Sequence, residues 1–206
     1  MPELTAEVLA GMPLGQQVRL WSRLAVLPTA VTTTLASVSR EDPAAFIREV
    51  LGERPSAAAL EAGLQDPWTP DQGRVLEAVR DHRRVAVPSG RSSGKSYIVA
   101  RIALWFLYHR PGSLVVTTAR NQRQVETVLW GEIREAHRAS KTPLPGRLLP
   151  VEPRLIVEGR WMAIGFTASP SVGDISATAF QGLHGPRVMV VLDEAAGIDE
   201  QILAAA

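Results

Sequence analysis

The chain has 206 residues, 46% of them apolar and 21% charged, enough for one full domain and a smaller one around a buried core. It has no cysteine, which excludes disulfides and thiolate metal ligation, and its four histidines (His82, His109, His137, His184) show no metal-ligand spacing. A net charge of +1 gives no overall attraction to nucleic acid, so such a contact needs a local basic patch.

The longest apolar run, Tyr97 to Tyr108, is broken by Arg101 and falls short of the roughly 20 residues that cross a bilayer. Acidic Glu3 and Glu7 near the start do not read as a secretion signal, so the expected location is the cytoplasm, with no membrane contact.

Residues 1–66 are expected to form a small helical region or lid. Val18, Leu20, Trp21 and Leu24, then Phe46, Ile47, Val50 and Leu51, recur at helical spacing. Gly52-Glu53-Arg54-Pro55 stops the second of these helices, and a boundary follows near residue 66.

The remainder, 67–206, alternates. A helix is expected from about Asp71, a strand over Arg84 to Val87, a helix over Gly94 to His109 and a strand over Ser113 to Thr118. A helix over Gln122 to Ala139 comes next, with Val125, Trp130 and Ile133 on its core side, then strand-like runs at Arg154 to Val157 and Trp161 to Thr167. The last strand, Arg187 to Leu192, is apolar from Val188 onward, as expected for a central strand covered on both faces. The alternation predicts an α/β fold with a parallel sheet flanked by helices.

The run from Val85 through Ser89-Gly90-Arg91-Ser92-Ser93-Gly94-Lys95-Ser96 reads as strand, small-residue loop and helix start. In a phosphate cradle of this layout the backbone N–H groups and the positive helix end converge on the anion. Lys95 then reaches the outer phosphates and Ser96 ligates magnesium. The expected ligand is ATP with Mg2+. The match to G-x-x-x-x-G-K-[ST] is imperfect: Ser89 holds the first position and the glycine follows at Gly90.

The last strand ends in Asp193-Glu194, and a carboxylate at that end of a parallel strand sits beside a phosphate loop of the same sheet. Asp193 is the candidate magnesium ligand and Glu194 the candidate base for the attacking water. The alternative is a solvated acidic pair after a core strand.

Three further features stay open. Arg91 lies within the loop, where its guanidinium either folds onto the γ-phosphate or points to solvent or a neighbouring subunit. Trp68 and Gln72 stand where adenine is often held by stacking and an amide fork. However, Thr69-Pro70-Asp71-Gln72 is also a capping box, and one amide cannot fill both roles. The polar run Thr117 to Gln124 is either a rim touching a DNA backbone or simply solvated.

Together these residues resemble the large terminase family of tailed bacteriophages, from about Asp42 to the end. The segments that carry the likeness are Phe46 to Gly52, Asp66-Pro67-Trp68, Ser89 to Ser96, and Thr117 to Val125 with Leu129-Trp130. Gln181-Gly182-Leu183-His184-Gly185, running into Val190 to Gly197, completes the set and is its most particular part. The resemblance implies a P-loop NTPase of the RecA/ASCE type that drives double-stranded DNA packaging, as a homo-oligomer at the capsid portal with a small terminase partner. It also implies that Arg91 is a cis-acting arginine finger. In that family the ATPase continues with more strands, a coupling motif and a nuclease domain. An ATPase core incomplete at its C-terminus, without DNA cleavage, is therefore expected here. A helicase-like DNA translocase and a non-catalytic nucleotide-binding remnant are the alternatives.

Overall fold

A computed structural model of the protein describes residues 41–90, 92–119, 124–167 and 186–195. The expected helix at 18–24, Arg91 and the run 181–185 lie outside these residues.

The first helix, α1, starts behind Asp42, whose Oδ1 accepts from the Ala44 N–H at 2.9 Å, with Pro43 at the first helical position. It covers Pro43–Ala45 and runs on as a π-helical Phe46–Leu51, ending at Gly52 with φ 74°. Two of its terminal carbonyls, Leu51 and Val50, accept from the N–H groups of Lys141 and Thr142, each at 3.0 Å. A short α2 (Ala57–Glu61) follows, then α3 (Pro70–Asp81) and α4 (Lys95–His109). α3 carries the predicted capping box. After β1 (Leu114–Ala119), α5 opens as a π-helical Gln124–Leu129 and continues as Trp130–Ala139.

β1 joins β2 (Arg147–Leu148), β3 (Arg154–Glu158), β4 (Trp161–Thr167) and β5 (Val188–Asp193) in a five-stranded sheet of order β2-β3-β4-β1-β5. The protein is thus α/β, with helices against a mixed sheet. Three expectations need correction. Only β4, β1 and β5 run parallel, whereas β2, β3 and β4 pair antiparallel. β3 and β4 are joined by Gly159-Arg160 alone, and a parallel pair needs a crossover of a dozen residues or more. The expected strand at 84–87 has no regular structure, and Val85 and Val87 are 36% and 43% exposed. Finally, β5 stands last in the strand order among the described residues and is only half-buried, so its unbroken apolar run does not mark a central strand.

Side chains alternate across the sheet. Val115, Ala119, Ala163, Met189 and Val191 share one core with α4 and α5, while Leu114 and Val116 face the other side with Ile164, Val190 and Leu192. On the helix side, the Trp130 indole N–H donates to Thr117 Oγ1 at 2.8 Å, and Thr117 donates to the Ile164 carbonyl at 3.3 Å. Gly165 permits this approach: a Cβ there would collide with the Trp130 indole nitrogen and sit 2.7 Å from Val125 Cγ1.

Of the expected helical region 1–66, the described stretch 43–51 packs against α4. Phe46, Ile47, Val50 and Leu51 are at most 3% exposed and belong to the core of α4. Arg101 of α4, 5% exposed, donates to Glu53 at 2.9 Å and to Glu132 of α5 at 2.5 Å, with its guanidinium 3.8 Å above the Tyr97 ring. The Tyr97 hydroxyl lies against the Glu53 carboxylate and the Pro67 carbonyl, and burial, then Glu53, hold this phenol well above its ordinary value.

Candidate functional site

α4 has no side-chain cap at its N-terminus, so the amides of its first turn, at the positive end of a 15-residue helix, have no side-chain acceptor. The loop before it turns through positive φ at Ser92 (59°) and Gly94 (72°), with Ser93 between them in the ordinary region. Such alternation directs successive N–H groups inward and makes an anion-binding concavity. Lys95 Nζ donates to the Gly90 carbonyl at 2.7 Å and Ser93 Oγ donates to the same oxygen at 3.1 Å, so the loop closes on Gly90. Ser96, half-buried, occupies the first turn beside Lys95. Ser89 and Gly90 lie exposed ahead of the turn.

The parallel pairing of β5 with β1 puts Asp193 level with Ala119 at the C-terminal end of the sheet, the end where ligands bind in parallel α/β sheets. The Asp193 carboxyl is pushed above the ordinary carboxylate value by burial first and by the Glu194 charge second. The Lys95 ammonium and the Glu194 backbone N–H pull the other way, so lysine and carboxylate lie within electrostatic reach of each other. Glu194 is exposed and adopts φ 56°. Among the described residues, Ser92 and Glu194 are the two non-glycine positions with positive φ. Each costs of order 1–3 kcal/mol, and such strain gathers at functional sites. Both fall on the two segments that the sequence singles out.

Trp68 and Gln72, the candidates for adenine contact, are both engaged with the protein itself. Trp68 is 6% exposed, packed in the core with the Arg48 guanidinium 4.9 Å from its ring centre, and lacks the open face that base stacking needs. Gln72 Oε1 accepts from the Thr69 N–H at 2.8 Å, completing the capping box. Its Nε2 donates to the carbonyls of Ser93 and Gly94 at 3.3 and 3.2 Å, bracing the loop before α4 from α3. Gly94 makes this possible, because a Cβ there would collide with Gln72 Nε2. The capping box was legible locally; the loop contact, across 21 and 22 residues, was not.

Thr117 and Thr118 also depart from expectation. Both are fully buried within β1, so they are not part of a polar rim, and the rest of that run, 120–123, lies outside the described residues.

The described residues contain no cluster of three or more metal-ligating side chains. Asp193 offers a half-buried carboxylate and Ser96 a hydroxyl, residue types that suit Mg2+, which takes one or two protein ligands and completes its shell with phosphate oxygens and water. No described helix is long and apolar enough to cross a membrane. No protein-family model, no curated protein and no solved structure matches this chain.

Proposed function

We propose that the loop 89–96 with Asp193 and Glu194 binds and hydrolyses MgATP, and that the chain is a motor ATPase for double-stranded DNA of the phage large-terminase kind. The observation that carries the nucleotide reading is the placement of Lys95 on an uncapped helix N-terminus and of Asp193 at the C-terminal end of β5, a strand that this helix packs against.

In this reading the loop amides and the Lys95 ammonium hold the phosphates. Ser96 and Asp193 would hold Mg2+, which when bound neutralises charge on the phosphate oxygens. Glu194, exposed and turned by its strained backbone, takes the proton of the attacking water. Arg91 is the proposed stabiliser of transition-state charge, by the same resemblance. That resemblance also supplies the packaging role, with a portal protein and a small terminase subunit as partners in the host cytoplasm.

One observation favours a second reading, nucleotide binding without turnover: residues 84–87 run outside the sheet, so the loop is anchored on its helix side alone. Phosphate release by the chain, with and without duplex DNA, separates the two readings.

The test of the nucleotide site is Lys95→Ala. Equilibrium titration with a fluorescent ATP analogue and Mg2+ is expected to show affinity lowered at least about tenfold, the loss of one charge-assisted contact. Unchanged affinity rejects the cradle.

A further inference from the structure

α4 spans about 22 Å, so its C-terminus delivers Arg110 to the end of the sheet remote from the phosphate loop. There the turn 110–113 closes through the Ser113 N–H and the Arg110 carbonyl at 2.9 Å, and the Leu114 N–H donates to the Arg187 carbonyl, also at 2.9 Å. The two arginines therefore rise from hydrogen-bonded neighbouring segments.

The Arg110 guanidinium is clamped, 4.6 Å from the Trp105 ring centre and 4.5 Å from that of Phe106. Its Nη1 is buried without an acceptor, as is the Trp105 indole nitrogen. Burial, then the Arg187 charge, push this guanidinium below its ordinary value, and among the described residues no ion pair links either arginine to a carboxylate. Two like charges held together without a counter-ion are unfavourable until an anion joins them. Because the aromatic rings already immobilise Arg110, little side-chain entropy remains to be lost on binding.

Strand register puts Arg160, in the turn before β4, at the same end, two strand spacings or roughly 10 Å from Arg187. Glu158 is the acidic residue at this end of the pairing register, opposite Trp161. A row of separated cations with a rigid member suits a repeating polyanion better than a single small one.

We infer that Arg110 and Arg187 form a binding position for a phosphodiester of a DNA duplex backbone, with Arg160 placed for a neighbouring phosphate. This surface is separate from the nucleotide loop and does not depend on ATP turnover, while the choice of duplex DNA as its polyanion rests on the DNA-motor reading above.

The test is binding of a short labelled DNA duplex by the full chain, followed by fluorescence anisotropy over a series of salt concentrations. Arg187 is exposed, so Arg187→Ala and Arg187→Glu are expected to fold. Arg187→Ala should reduce the slope of log affinity against log salt by about one, and Arg187→Glu should weaken binding roughly tenfold at low salt. Arg110→Gln, checked by its thermal transition, should act in the same direction. Lys95→Ala should bind duplex like the unsubstituted chain, whatever its effect on nucleotide. Unchanged affinity and slope in Arg187→Glu overturn the proposal, as does absence of duplex binding by the unsubstituted chain. Displacement of the duplex by polyglutamate as effectively as by unlabelled DNA overturns it in favour of an acidic protein partner. Equal displacement by inorganic phosphate at matched phosphate concentration and ionic strength overturns it in favour of a small anion.

Discussion

Lys95 and Arg101 stand six residues, or about 9 Å, apart on one helix, yet their surroundings are opposite in kind. Around Lys95 the helix end is uncapped, the loop bonds largely to itself, and the backbone is strained at Ser92 and, across the sheet end, at Glu194. Around Arg101 the charge is buried, paired with two carboxylates from different segments and stacked on Tyr97. The contrast shows how one element serves two purposes. Strain and unmet hydrogen-bonding capacity persist at the open end because the buried stretch behind it is held on several sides. Gln72 is the described link from outside the helix to the open end, which makes it the natural place to disturb one region without the other.

The comparison can be broken most forcefully at the buried level. Arg101→Ala strands Glu53 and Glu132 without their shared cation and is expected to destabilise the fold by about 3 kcal/mol, read as a lowered midpoint in urea. A change below about 0.5 kcal/mol would mean that the network does not anchor the helix.

Gln72→Ala is next in size. Loss of the capping-box acceptor and the loop brace should cost about 1 kcal/mol of stability. It should also weaken binding of the fluorescent ATP analogue, whereas Arg101→Lys, which disturbs only the buried level, should alter stability more than nucleotide affinity. Equal effects of both variants on affinity would erase the distinction between the two regions.

Asp193→Asn gives the smallest effect and a sign that depends on pH. A carboxyl whose folded value is raised binds its proton more tightly in the native state, so its contribution is fully present in acid and lost as pH rises through that value. The variant should therefore match the unsubstituted chain at low pH and exceed it at neutral pH, by less than about 1 kcal/mol for this half-buried group, in thermal melts without metal. Identical pH profiles would show that the Asp193 environment is not unfavourable to charge.

The elements legible without a structure were those defined by near neighbours. The capping box at Thr69 and Gln72 specifies the start of α3, apolar recurrence specifies α4 and the core face of α5, and alternation of types specifies α/β. The small-residue loop before α4 and the acidic end of β5 were likewise visible as segments, because turn chemistry and residue type act over a few positions. What the tertiary structure alone decided was partnership. Among the described residues it paired β3 and β4 antiparallel, put β5 last in the strand order, left 84–87 without a partner strand, buried Trp68 and turned the Gln72 amide onto the loop. Strand order, burial and long-range hydrogen bonds depend on which distant surfaces meet. An unbroken apolar run or a lone amide carries no record of what it will touch, since many partners satisfy it equally until the whole chain has packed.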